Sequence, residues 1–531
     1  MAPLQAVLHL PTVQTPQCAP MPHNHNVYDL IEDRISKAGV APAFVLPDGG
    51  IVTYAQLGAD VGRMANALAA AGVTPGDRVT VQVEKSLPNA VLYLACLKAG
   101  AVFNPLNSGY TSAELDYFLG DAQPALLVCQ RTSLALLAPI AERHAVKATL
   151  LLEADGTGSL ADLALAQAIS HQTHVCHADD LAALIYTSGT TGRSKGAMIT
   201  HGNLASNTLA LCATWRISGD DILLHTLPIF HVHGLFVALN TTLSQGARIL
   251  WQPKFDLDTA LALLPQATLM MGVPTFYTRL LSSPAFGRET CRNMRLFVSG
   301  SAPLLAETHV EFKARTGHAI LERYGMTETG MITSNPYAAD GRLAGTVGYP
   351  LPGISVRVAE PEGKVLGAGD IGVVEIKGPN VFKGYWRNPE KTKAEFRADG
   401  YFISGDLGTI ETDGRLSIVG RAKDLIITGG LNVYPKEIED ELNAFPGVGE
   451  AAVVGIPHPD FGEGVIAVVA KATGADGERI ETEPRIIEQL AGRLAKFKCP
   501  KRIFIVDELP RNAMGKVQKA ELRARYGQTF K

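Results

Sequence analysis

Three short runs constrain this chain more than any other feature: Arg78–Val83 (RVTVQV), Ala125–Cys129 (ALLVC) and Leu181–Tyr186 (LAALIY). Each is apolar or Val/Thr-rich and too short for a helix of ordinary length, as expected of strands buried on both faces. Helical stretches lie between them. One opens at Thr111 with Glu114 three residues on, a capping-box pattern ahead of LDYF. Strand–helix–strand alternation predicts an α/β fold with largely parallel sheets. At 531 residues, more than one domain is expected.

The texture changes after about residue 340. Short β-prone pieces (VGYPLPGISVRV, IGVVEIKG, GRLSIVG) predict a small β-rich subdomain up to about residue 420. Beyond Arg421-Ala422-Lys423-Asp424 a mixed pattern returns. Glu450–Ile456, Gly464–Lys471 and Arg502–Val506 read as strands, and Glu437–Asn443 and Glu483–Ala495 as helices. The expected organisation is a loose, Pro-rich extension (1–24), a large domain (25–422) and a smaller C-terminal domain (423–531).

A net charge of −4 gives no reason to expect a nucleic-acid or membrane partner. No apolar run reaches the ~18 residues that span a bilayer. The first 28 residues carry no Lys, Arg, Asp or Glu, which supports neither a secretory nor a mitochondrial signal. A soluble cytoplasmic protein is the expectation, its seven scattered cysteines being free thiols.

The densest chemistry follows the strand at 181–186. Thr187, Ser188, Gly189, Thr190, Thr191 and Gly192 lead through Arg193-Ser194 to Lys195. The glycines let the backbone approach an anion, the hydroxyls donate hydrogen bonds, and the lysine adds charge. This is a phosphate-grasping loop without Walker A spacing. Three further segments stand out: Leu321-Glu322-Arg323-Tyr324-Gly325-Met326-Thr327-Glu328-Thr329; Ile403-Ser404-Gly405-Asp406-Leu407 with Gly420-Arg421-Ala422-Lys423-Asp424; and Pro510–Lys519. An Asp followed some 15 positions later by an Arg can hold a ribose diol. The His171-Gln172-Thr173-His174-Val175-Cys176-His177 stretch has metal-like composition but no second ligand cluster, and zinc is not expected there.

In this order and at these separations the motifs resemble the adenylate-forming superfamily of acyl-CoA synthetases, peptide-synthetase adenylation domains and beetle luciferases, over about residues 27–525. Ser194 departs from the proline common before the loop lysine. The resemblance implies a large N-terminal domain of two α/β sheet subdomains and a small β-barrel-like subdomain, with a mobile α+β C-terminal domain. It implies ATP, Mg²⁺ and coenzyme A. A carboxylate attacks the α-phosphate of ATP, giving an acyl-adenylate and pyrophosphate; a thiol then displaces AMP. It further implies that Thr187–Lys195 hold the β- and γ-phosphates, that Thr327 touches the α-phosphate, and that Glu328 binds Mg²⁺. Gly300, Ser301 and Ala302 with Pro303, and Tyr324 beside Gly325 and Met326, would flank the adenine. Asp406 and Arg421 would take the ribose, and Lys516 would reach the α-phosphate and substrate carboxylate. Lys423 would be the hinge, with Gly429 and Gly430 lining the CoA tunnel.

The phrases HVHGLFVALN, MGVPTFYTRLL, FVSGSAPLL, GHAILERYGMTETGM, GPNVFKGYWRNPEKT and GRLAKFKCPKRI are similar to malonyl-CoA synthetases (malonate–CoA ligases). Arg323 precedes the motif tyrosine where many fatty-acid and coumarate ligases carry glycine. Arg279 shares a helical face with Thr275 and Phe276 by its spacing. A buried unpaired arginine is costly in an apolar pocket but suits a substrate with a second carboxylate. Arg323 is the first choice for that role and Arg279 the second, with His231 or His233 assisting. Other readings are a ligase for methylmalonate or another short acid, an adenylating enzyme loading a carrier-protein thiol, and a non-catalytic nucleotide-binding relative.

Overall fold

The structure is a computed structural model, and it describes residues 24–187, 194–472, 480–512 and 516–530. The expected extension and most of the phosphate-grasping loop (Ser188, Gly189, Thr190, Thr191 and Gly192) lie outside the described residues.

The runs expected to be strands pair in parallel. Leu126–Cys129, Arg78–Gln82, Val102–Pro105 and Leu181–Thr187 are consecutive in a six-stranded sheet. Its edge strand Lys195–Thr200 is antiparallel, with Thr187 opposite Lys195. Those two strands are therefore antiparallel neighbours. Thr111 caps the helix Ser112–Ala122, with both capping-box hydrogen bonds formed.

The second large sheet has nine strands. Its parallel centre runs Leu321–Met326, Leu296–Ser299, Leu269–Gly272, Ile222–His225, Arg248–Trp251 and Pro42–Val45. These strands end together at His225, Gly272, Ser299 and Met326. Ligands of open parallel sheets bind outside such carboxyl ends, and the candidate residues gather there.

Ser355–Ala359, Gly372–Lys377, Phe402–Ile410 and Leu416–Arg421 make the small antiparallel sheet expected after residue 340. Beyond it, Val448–His458, Gly462–Lys471 and Arg502–Val506 form a sheet with the hairpin Ile426–Thr428/Leu431–Val433. Gly429 and Gly430 make that hairpin's two-residue turn at φ 58° and 80°, the left-handed geometry a type I′ turn requires. The helix expected over Glu483–Ala495 stops at Ala491, where Gly492, a poor helix former, follows.

The apolar clusters divide along the chain. Two are built only from residues between Ile426 and Leu522. The largest runs from Val27 to Leu416. The described cysteines are free; five are buried and Cys499 is half-buried. Among the described residues no helix is long and apolar enough to cross a membrane.

Candidate active site

Asp406 is the best-anchored candidate. It sits opposite Arg421 in the ladder of the small sheet, and Arg421 Nε donates to Asp406 Oδ1 at 2.7 Å. The Tyr324 hydroxyl donates to Asp406 Oδ2. Ser404 Oγ accepts from the Asp406 N–H at 3.0 Å. Asp406 is 3% exposed, and its charge raises the pKa of Arg421. A carboxylate held this way keeps lone pairs for a diol while its partners fix its direction.

Glu328 lies just past the strand Leu321–Met326, buried, and its Oε1 accepts from the Tyr385 hydroxyl at 3.1 Å. The same hydroxyl lies 2.6 Å from Glu395 Oε2, so the two carboxylates share its one proton. Burial raises the Glu328 pKa, and the nearby Glu395 charge adds to it. Lys195, at the start of its strand, lies 3.7 Å from Glu395 Oε1 and 5.0 Å from the centre of the Tyr385 ring. Among the described residues no three His, Cys, Asp or Glu side chains cluster to hold a metal. Mg²⁺ commonly takes one or two carboxylates and completes its shell with substrate phosphates and water, so a single buried Glu328 fits that ion. Thr327 is half-buried in the turn before Glu328.

Lys516 comes from the C-terminal core. Its backbone N–H and C=O are tied to Asn512 across the 512–516 loop. The residue is exposed, while desolvation around its amine pushes the pKa down. The charge of Arg421 adds to that shift, and Asp406 and Glu328 oppose it. Lys516 thus lies within electrostatic reach of Arg421, Asp406 and Glu328.

On the acyl side, Arg323 is 4% exposed, yet its Nε and Nη2 have no hydrogen-bond partner and it has no carboxylate neighbour among the described residues. Burial lowers its pKa to about 9. The Cζ of Arg323 would lie 2.3 Å from a Cβ at position 300, so Gly300 is glycine to let the guanidinium pass. Beside it, His233 Nδ1 lies 3.3 Å from Ser301 Oγ. Ser301 holds a left-handed φ of 71°, a strained state for a residue with a side chain. The His231 Nδ1 accepts the His233 N–H at 3.3 Å, leaving His231 Nε2 to carry the ring proton. Burial, then the charges of Lys516 and Arg323, push the His231 pKa down to about 3. His233 Nε2 and Ser299 Oγ are likewise buried without partners. Polar groups left unpaired inside a fold are rare, and here they converge.

Arg279 departs from expectation. The helix Pro274–Leu281 buries Tyr277, Leu280 and Leu281, and leaves Thr275 and Phe276 half-buried with Arg279 exposed. The i,i+3,i+4 face that packs is one residue out of step with the arginine. Arg279 is therefore not a buried clamp in this structure. Lys423 lies exposed in the 3₁₀ turn Ala422–Asp424, and Gly429 and Gly430 are exposed. In the histidine-rich stretch, His171 Nδ1 is bonded to Asn66 Oδ1 at 2.8 Å. Sequence reasoning missed Tyr385, Glu395 and Ser299. Tyr385 and Ser299 stood within quoted phrases, but nothing in those phrases signalled the contacts they make.

The chain matches the AMP-binding enzyme family over residues 31–386 and the AMP-binding enzyme C-terminal domain over 437–516. It belongs to the AMP-binding enzymes. Feruloyl-CoA synthase of Amycolatopsis sp is 37% identical over 490 residues, covering 90% of this chain and 95% of that protein. Malonate–CoA ligase of Arabidopsis thaliana is 36% identical over 480 residues, covering 85% and 78%. The crystal structure of ATP-bound MatB from Rhodopseudomonas palustris superposes with a TM-score of 0.92 at 55% identity, covering 96% of this chain and 100% of that one.

Proposed function

We propose that the chain ligates malonate to coenzyme A through malonyl-adenylate, releasing pyrophosphate and AMP. The observation that carries the choice of acid is Arg323, buried with two unpaired N–H groups and no carboxylate partner. Identity to these two curated relatives does not choose, since the feruloyl-CoA synthase and the malonate–CoA ligase match at 37% and 36%. A phenylpropanoid ring against Arg323 would leave the guanidinium uncompensated, which is costly. Malonate brings the missing anion. Its spare carboxylate would take the two guanidinium N–H groups, with His231 Nε2–H as a neutral donor beside them.

The reaction follows from the same placement. The other carboxylate of malonate attacks the α-phosphorus of ATP, and pyrophosphate departs. Lys516 stabilises the negative charge that develops there, and Thr327 donates to the α-phosphate. Mg²⁺ held by Glu328 would neutralise phosphate charge. Asp406 and Arg421 hold the ribose, and Tyr324 with Gly300, Ser301 and Ala302 bound the adenine. Thr187, Lys195 and the loop between them take the β- and γ-phosphates. In the second step the CoA thiol attacks the acyl carbon and AMP leaves. Before it, the C-terminal domain turns about Lys423, withdrawing Lys516 and bringing Gly429 and Gly430 to the thiol channel. The separate apolar cores on either side of Arg421–Ile426 support a boundary at 422/423.

The test is pyrophosphate release measured with malonate, methylmalonate, butyrate and ferulate, with and without CoA. Malonate is expected to give the highest kcat/KM, and the thioester should form only with CoA. Ferulate or butyrate exceeding malonate would overturn the reading. Methylmalonate as the best substrate would keep the dianion clamp and change the acid.

A further inference from the structure

Lys85 and His225 form a buried pair that the reaction above does not use. Lys85 belongs to the six-stranded sheet's subdomain, in the loop between the strand Arg78–Gln82 and the helix Leu87–Lys98. His225 ends the strand Ile222–His225 of the other large sheet. The Lys85 amine lies 2.9 Å from His225 Nδ1 and donates to the His225 carbonyl at 2.9 Å. It also sits 4.4 Å from the centre of the Trp251 ring, which lies beside His225 in the parallel register. Among the described residues Lys85 has no acidic partner, so it is not an ion-pair strut.

The proton arrangement follows from the partners. His225 Nε2 lies 2.9 Å from the carbonyl oxygen of Gly234, which only accepts, so Nε2 carries the hydrogen. Nδ1 is then the acceptor for Lys85. Gly234 is the second residue of the π-helix His233–Asn240, an element that in proteins recurs at functional sites. It has no slack: a Cβ on Gly234 would lie 2.1 Å from the Pro228 carbonyl oxygen. The residue before it, His233, faces Ser301 and the pocket of Arg323.

We propose that Lys85 and His225 are positioning residues for the acyl pocket, fixing the Gly234 carbonyl and thereby His233 and His231 against Arg323, so that they determine acid selectivity and not nucleotide use. The proposal rests on the dianion reading of that pocket. Cross-sheet hydrogen bonding of this kind pins the first turn of the π-helix from the other subdomain, and a misplacement of about 1 Å at a reacting pocket can cost about a hundredfold.

The experiment measures kcat and KM for malonate, butyrate, ATP and CoA in the wild type and in Lys85→Met, His225→Leu and His225→Gln. Lys85→Met and His225→Leu are expected to lower the malonate-to-butyrate ratio of kcat/KM about tenfold or more, with KM for ATP within about twofold. His225→Gln should recover much of the loss, because its amide N–H can replace Nε2–H toward Gly234. Parallel decline for both acids, or a Gln variant no better than Leu, overturns the proposal. Should His225→Leu fail to fold, Lys85→Met and nitrogen NMR of histidine-labelled wild type remain. NMR should find His225 protonated at Nε2 alone, and protonation at Nδ1 would overturn the arrangement. If the wild type prefers another acid to malonate, the malonate reading falls, and the ratio is taken between that acid and butyrate.

Discussion

Arg323 and Gly300 touch more closely than any other residue at position 300 would allow, a Cβ there standing 2.3 Å from the guanidinium carbon. The arginine is thus aimed by a missing side chain. Two changes follow. Arg323→Gly should lower kcat/KM for malonate by roughly two to four powers of ten, the ~3–5 kcal/mol cost of removing a partner from a buried charge. Butyrate should fall less or rise. Gly300→Ala should displace the guanidinium and cost malonate activity at least about tenfold, within the ~1–3 kcal/mol of an overpacked site. Equal losses for the two acids with Arg323→Gly would assign the arginine to the nucleotide or the fold.

Lys516 feels the charges of Arg421, Asp406 and Glu328, yet it precedes the helix Lys519–Tyr526, whose Leu522 belongs to a separate core. Lys516→Ala should abolish pyrophosphate exchange while leaving thioester formation from preformed malonyl-adenylate largely intact. Its lowered pKa sets a sign as well. The charged amine is the active form, so adenylation should decline on the alkaline side at a lower pH than the ordinary lysine value of ~10.4. Half-reaction rates from pH 7 to 10 measure both effects. Comparable loss in the two half-reactions would contradict the two-conformation scheme.

Lys423, exposed in its 3₁₀ turn, should serve motion. Lys423→Pro fixes φ near roughly −65°. Adenylation should survive and thioester formation should drop by orders of magnitude. Single-turnover assays of each step decide it, and two unimpaired steps would move the hinge elsewhere.

Buried neutral histidines make the fold acid-sensitive. Burial holds His201 down at about 4 and, with neighbouring charge, His231 at about 3. Both values lie below the unfolded ~6.5, so the unfolded chain binds the extra protons. Stability is then fully present above pH ~6.5 and lost as pH falls toward 4, by about 1.4 kcal/mol per pH unit per histidine at the steepest. His201 Nδ1 accepts the Val27 N–H at 3.2 Å, so the neutral ring is structural. Urea midpoints at pH 7.5, 6 and 5 should fall more steeply for the wild type than for His201→Gln. Identical slopes would show that the ring titrates normally in the folded state.

Much of this site was legible because its parts are local in sequence. Thr187 and Lys195 lie eight positions apart and pair across neighbouring strands, so their closeness could be read from a short stretch of chain. Arg323 stood out for its place next to Tyr324, and the structure buries it there with unpaired nitrogens. Arg279 misled because its spacing to Thr275 and Phe276 gives a shared face without saying which face packs; Tyr277, Leu280 and Leu281 won that contest. Lys85 and His225 are 140 positions apart, and neither sits in a pattern that names the other. Contacts of that kind are made by sheet packing, to which local periodicity is blind. Tyr385 is similar, bridging Glu328 and Glu395 from a segment whose sequence reads only as loop.

The pairing of Asp406 with Arg421 also lies next to the border between the separate apolar cores. Arg421 is the last residue of its strand, and Lys423 follows two positions later. Under the proposed reaction, a nucleotide on the Asp406 carboxylate would therefore be coupled through one ladder pair to the linker of the C-terminal domain. Loss of product and freedom of that domain would then share a single contact, with no relay through the interior.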